Sequence, residues 1–197
     1  MPGPKQLSFA VLGVLAITAE YATGMIRTSL TDVPRRSRLL AAKAVTVGAV
    51  AGAVGLGSLT AAFLAGRAIV GDRSIDFATA PVTEHLPLLL ASGLSVPVVA
   101  LVALGLGTIL RSTAGAIGAV VGLLCVVPAV PRRMPDPWRD RVASVLLPNL
   151  TTELAGAANP TTAFHGALPP LGALAVLAAY VVITLGSATI LINRRDA

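Results

Sequence analysis

Charge is scarce in this chain. Only 12% of its 197 residues are Asp, Glu, Lys or Arg, where a soluble domain carries roughly a quarter. Hydrophobic residues make up 55% and the mean hydropathy is +0.83. That balance excludes an ordinary soluble domain and predicts a polytopic membrane protein with little mass outside the bilayer. Cysteine is nearly absent. The single Cys125 lies in an apolar run, so it forms no internal disulfide, builds no metal site alone, and reads as a small packing or lipid-facing residue. Catalytic wording is absent too. There is no G-x-x-x-x-G-K-[ST] loop, no H-E-x-x-H helix and no G-x-S-x-G elbow. His85 and His165 stand in predicted loops, and no strong acid or base sits at mid-span, where proton-coupled carriers keep one. The expectation is therefore no catalytic residue, no metal ligand and no enzyme activity. The net charge of +6 does not predict nucleic-acid binding, because the arginines cluster at the ends of apolar runs, where they anchor spans and set orientation. Met1-Pro2-Gly3-Pro4-Lys5 is a poor signal-peptide start, and no cleavage site precedes Glu20.

What is present is a series of apolar runs. A helix needs about 20 apolar residues to cross the hydrocarbon core. Ala44–Gly66 (reaching outward to Val70), Leu86–Leu110 and Leu168–Ile192 are free of charge over most of that length, and Ala114–Val130 stands at the lower limit. Leu7–Ala19 reaches spanning length only if its helix runs on past Glu20. The predicted fold class is all-α, a polytopic transmembrane helix bundle of about five spans forming one domain over residues 1–197. Gly48-x-x-x-Gly52 and Gly118-x-x-x-Gly122 allow close helix approach, read as packing within the bundle rather than as a dimer seam. Pro97 inside the third run and Pro128 near the end of the fourth each remove a backbone donor and predict a kink, with Pro97 a candidate gating point. Arg67, near the outer end of its span, is expected to snorkel to the interface.

The basic short loops place residues 20–43, the Arg111-Ser112-Thr113 turn and the tail from Asn193 in the cytoplasm, with residues 71–85 outside. The long loop 131–167 then falls outside. It carries the only tryptophan, Trp138, suited to an interface. Val142, Val145, Leu146 and Leu150 predict an apolar face on a short interfacial or re-entrant helix, broken by Pro148. Asn149-Leu150-Thr151 matches a glycosylation sequon, a three-residue pattern common by chance.

Residues 20–43 hold five basic and two acidic side chains between two apolar runs. One reading is a positive-inside anchor with no partner. The other is a docking surface. Glu20 stands at the membrane boundary, an expensive place for an unpaired carboxylate. Beyond it, Arg27, Thr28 and Ser29 mix with Met25, Ile26 and Leu30 on one short predicted helix, the blend of apolar and charged groups found at interfaces.

The wording of this segment is familiar. Ile17-Thr18-Ala19-Glu20-Tyr21-Ala22-Thr23-Gly24-Met25-Ile26-Arg27-Thr28-Ser29-Leu30, then Val33-Pro34-Arg35-Arg36-Ser37-Arg38 and Ala41-Ala42-Lys43, resembles the inner loop of actinobacterial ABC transporter permeases of the type-2 export class. The Leu110–Ala116 turn and the Arg194-Arg195-Asp196-Ala197 ending fit as well, so the resemblance extends over nearly the whole chain. It implies a multi-pass permease subunit of an exporter in the bacterial plasma membrane. No cofactor is bound by the chain itself; ATP and Mg belong to a separate ABC ATPase subunit. A homodimer or paired permease is implied, in contact with the lipid bilayer and with no nucleic acid. It also implies a cytoplasmic coupling helix at Tyr21 to about Leu30. Glu20, Tyr21, Gly24, Met25, Arg27, Thr28, Arg35 and Arg36 are the implied ATPase-coupling residues. The family usually has six spans, and the first apolar run here corresponds to its second. The expectation is thus a chain lacking the first span, with its N-terminus outside. The alternative is a truncated or degenerate, non-transporting membrane subunit or scaffold.

Overall fold

A computed structural model describes residues 4–23, 36–70, 82–135, 138–154 and 168–195. Those residues are helical almost throughout and contain no strand, so the all-α bundle is the observed fold class. Four long helices dominate: α1 (Pro4–Thr23), α2 (Arg36–Val70), α3 (Val82–Leu110) and α7 (Pro170–Arg195). Three stretches, Ser37–Ile69, Leu89–Leu110 and Pro170–Ile192, are long and apolar enough to cross a membrane, as expected of a membrane-embedded protein. The α1 helix does run on past Glu20, to Thr23, and its 20 residues measure about 30 Å, the thickness of the hydrocarbon core.

The α3 helix is the axis. Of its most apolar stretch 61% is buried, against 17% for α2 and 11% for α7. It packs along α1, α2 and α7, which touch one another far less. In lipid no hydrophobic force drives helices together, so contact depends on small residues that let backbones approach. Such contacts ring α3. Gly13 of α1 lies against the backbone of Ala100, Gly93 accepts the Leu56 side chain of α2, and a Cβ on Gly105 would stand 2.9 Å from Thr184 of α7. Gly48 and Gly52 face Leu101 and Pro97 of α3, so this glycine pair serves packing within the bundle. Gly118 and Gly122 do not: a side chain there would meet open space. Their helix seats on the bundle through Ala116, Val120 and Leu124 instead.

Helices overrun the apolar stretches that predict them. Glu84 and His85, expected in a loop, lie in the first turns of α3. The basic tail is likewise the last turn of α7 through Arg195. Arg67 sits in the last turn of α2, half-buried, 6.0 Å from the centre of the Phe63 ring. Hydroxyls inside the long helices bond their own backbone: Thr18 donates to the Val14 carbonyl, Thr108 to Leu104 and Thr184 to Tyr180. Hydrocarbon offers no other acceptor.

The fourth predicted span is interrupted. An α-helical turn, α4 (Thr113–Val121), gives way to a π-helical turn at Gly122–Val126 and to 3-10 turns at Val127–Ala129 and Pro131–Arg133. Pro128 has no N–H to give the Leu124 carbonyl, and the regular winding is already lost before it. Through Pro97, by contrast, α3 stays helical from Val82 to Leu110. Two short helices follow, α5 (Trp138–Val145) and α6 (Leu147–Leu154). The break falls at Leu146, and Pro148 occupies the first turn of α6, where its missing donor does no harm. The predicted apolar face is divided by this break. Of its four residues Val145 is exposed, Val142 is half-buried, and Leu146 and Leu150 are buried, Leu150 together with Leu147 in the main core beside Val98, Val102 and Leu177. The pair therefore packs into the bundle rather than lying across its end.

Candidate functional site

The basic end of the bundle is built from three separate segments. Leu40 near the start of α2, Leu104 of α3 and Ala188 of α7 form one buried cluster, flanked by Ala16 of α1, Ile109 and Ile192. The end of α1, the start of α2, the α3–α4 turn and the end of α7 thus share one end. Arg38, Arg111 and Arg194 are all exposed there. This is the grouping that the short-loop charges predict for a cytoplasmic side.

Each segment is held by local chemistry. The α3–α4 turn has only Arg111 and Ser112 between its helices. Arg111 takes a left-handed φ of 51° and its N–H donates to the Gly107 carbonyl at 3.0 Å, closing α3. The Ser112 hydroxyl oxygen accepts from the Gly115 N–H at 3.3 Å and caps α4. The α1–α2 hairpin is joined by Lys43, whose Nζ donates to the Ala16 carbonyl at 2.9 Å.

Of the predicted coupling residues, Glu20 and Tyr21 fall in the last turn of α1, and Arg36 is the first residue of α2. The segment between helices is therefore shorter than residues 20–43: Tyr21 to Thr23 continue α1, and Arg36 to Lys43 already belong to α2. Polar residues near a span end do not stop a helix, because its backbone groups stay paired within the helix while the polar side chains reach water. Gly24, Met25, Arg27, Thr28 and Arg35 lie outside the described residues. Pro97 is half-buried in α3, its ring beside Gly52 of α2.

A second polar feature lies at the α5–α6 break, which sequence reasoning missed. A helix break inside a bundle frees carbonyls that must find donors. The Asn149 side-chain amide donates to the Ala143 carbonyl at 2.9 Å, and the Tyr180 hydroxyl donates to Val145 at 3.3 Å. Tyr180 lies about 15 Å along α7, so the break reaches roughly half-way into the bundle. Asn149, read from sequence as a possible glycosylation site, is engaged in this closure. At the far end of α5, Arg141 stands 5.9 Å from the exposed Trp138 ring, and Arg139 lies 3.6 Å from Asp140. At about one-third exposure such a pair adds little stability. Tyr180→Phe keeps the ring and removes the donor. It is expected to lower stability by about 1 kcal/mol, read as a lower thermal midpoint of the purified chain in detergent; an unchanged midpoint would mean water replaces the hydroxyl.

Among the described residues no group of three or more His, Cys, Asp or Glu is placed to hold a metal ion. No protein-family model, curated protein or solved structure matches the chain.

Proposed function

We propose that the chain is the transmembrane permease subunit of an ATP-driven exporter. Its α1–α2 hairpin would dock on a separate ATPase subunit that binds ATP and Mg. The observation that supports this reading best is the convergence of the α1–α2 hairpin, the Arg111 turn and the end of α7 at one basic end. A partner protein approaching that end meets several elements at once. Glu20, Tyr21 and Arg36 would flank the docking segment, and Gly24, Met25, Arg27, Thr28 and Arg35 would supply it. Two copies, or this chain and a paired permease, would enclose the path. ATP-driven closure of the ATPases would bias the hairpins, and through them the bundle, between two states, as any ligand shifts an equilibrium by its differential affinity. Pro97 and the π-helical turn at Gly122–Val126 are the points where the helices can bend. The membrane would be the bacterial plasma membrane.

Co-purification tests it. The full chain is expressed with a candidate ATPase, and retention is compared for the native sequence, Glu20→Ala and Arg27→Glu. The expected result is at least a tenfold loss for Arg27→Glu, since reversing a charge at an interface loses a favourable contact and adds a repulsion. Native retention by both variants would remove the docking claim and leave the anchor reading of the loop.

A further inference from the structure

The end of the bundle opposite the basic one carries cations too. From the Ser112 cap the chain stays wound through α4, the π-helical turn and both 3-10 turns to Arg133. At about 1.5 Å per residue that run measures about 30 Å, the thickness of the hydrocarbon core. It lies along the bundle for most of this length, since Ala116, Val120, Leu124 and Pro131 are all buried. Arg133 therefore stands at the opposite membrane face from Arg111. The α5 helix begins beside it. The Pro135 carbonyl accepts from the Trp138 N–H at 3.1 Å, and α5 packs on the Pro131–Arg133 turn. From there α5 dips toward Val145, which the Tyr180 hydroxyl meets at half depth. Trp138 is thus left near the boundary between hydrocarbon and water.

Three observations choose a ligand. Trp138 is exposed at the depth where indole rings settle among headgroups. One turn later Arg141, also exposed, holds its guanidinium 5.9 Å from the centre of that ring. A guanidinium on an aromatic face keeps its in-plane fork of N–H donors, the shape that grips a phosphate through two hydrogen bonds. Val127, Val130 and Arg133 are all exposed and recur every three residues, one face of a 3-10 winding. An apolar stripe open to lipid thus ends in a cation. Asp140, beside Arg141 in sequence, pairs with Arg139 at 3.6 Å, and no ion pair holds Arg133 or Arg141 among the described residues. Two such cations and an indole at a hydrocarbon boundary suit an anion that itself resides there, a lipid phosphate rather than a dissolved one.

We propose that Arg133, Trp138 and Arg141 form a headgroup site for an anionic phospholipid at the face opposite the basic end. The two guanidiniums hold the phosphate, the indole packs on the glycerol region, and an acyl chain runs down over Val130 and Val127. The site rests on the chain being membrane-embedded and is independent of any ATPase partner.

Trp138 is the only tryptophan in the chain, so its fluorescence reports this site alone. The full chain is reconstituted in phosphatidylcholine vesicles doped with phosphatidylglycerol that carries brominated acyl chains, which quench a tryptophan they touch. A parallel sample carries the same bromines on phosphatidylcholine. The expected result is that phosphatidylglycerol quenches as a lipid bound about fivefold more tightly or better, the factor that one basic residue contributes at a membrane surface. Arg133→Gln and Arg141→Gln each lower the preference, and the double variant brings the two lipids to equal quenching. Arg38→Gln, at the other end of the bundle, leaves the preference intact. Equal quenching by the two lipids in the native chain overturns the proposal, as does a preference that survives in the double variant. A preference abolished by inorganic phosphate, but not by chloride at the same ionic strength, overturns it by making a dissolved anion the ligand. Quenching by neither lipid overturns it by putting Trp138 in water, where an acidic protein would be the partner. A chain that fails to fractionate with the vesicles would sink the membrane reading and the site with it.

Discussion

Gly13→Leu prevents α1 from seating on the bundle. A side chain at this position would run directly into the Ala100 carbonyl oxygen, with Ala100 Cα only 3.1 Å away. The obstacle is backbone inside the most buried helix, so no rotamer change relieves it and α1 has to lift away. Overpacking costs about 1–3 kcal/mol where side chains can adjust; here about 3 kcal/mol or more is expected. Gly57→Leu supplies the control, since a side chain at Gly57 meets nothing within 4 Å. The purified chain carrying Gly13→Leu is expected to aggregate or melt far below the native form, with Gly57→Leu unchanged. Equal melting of the two would show that α1 does not cross α3 at Ala100.

Leu150→Ala loosens the broken segment. Leu150 is fully buried between α3 and α7, and buried Leu→Ala changes cost about 2–5 kcal/mol. Within a bilayer the truncated side chain loses packing contacts rather than protection from water, which points to the lower part of that range, about 2–3 kcal/mol. Leu171, 82% exposed at the start of α7, is the comparison; Leu171→Ala is expected within about 0.5 kcal/mol of native. Thermal melting and limited proteolysis of residues 138–154 read the difference. If the two variants behave alike, α6 lies on a surface and the packed arrangement is wrong.

The bundle was legible in the sequence where charge-free length is the whole signal. The α2, α3 and α7 helices lie on the three longest apolar runs because hydrocarbon leaves the backbone no other way to satisfy its hydrogen bonds. Their ends were not legible, since Arg36 to Lys43 and Val82 to His85 are polar enough to read as loop yet continue a helix into water. Pro128 announced a disturbance in the fourth run, but nothing in the residues announced its form, a π-helical turn beginning at Gly122. The basic end was anticipated from the signs of short loops alone. Lys43 and Tyr180 were missed as individuals because each acts on a residue far away in sequence, Ala16 and Val145 respectively. Periodicity says nothing about contacts of that kind. A tyrosine hydroxyl within an otherwise apolar span was the one available hint, since such a group needs an acceptor.

The central position of α3 has a consequence for how this sequence can drift. Its neighbours approach closely on several sides, at Gly93, Ala100 and Gly105, so enlargement is forbidden around much of its circumference. The outward faces of α2 and α7, with Val45, Leu64, Leu171 and Val182 exposed, accept any apolar residue of suitable length. A saturation library scored only for correct folding would therefore trace the axis of the bundle without a structure. It would appear as one run of residues intolerant of bulk, flanked by two that are indifferent to it.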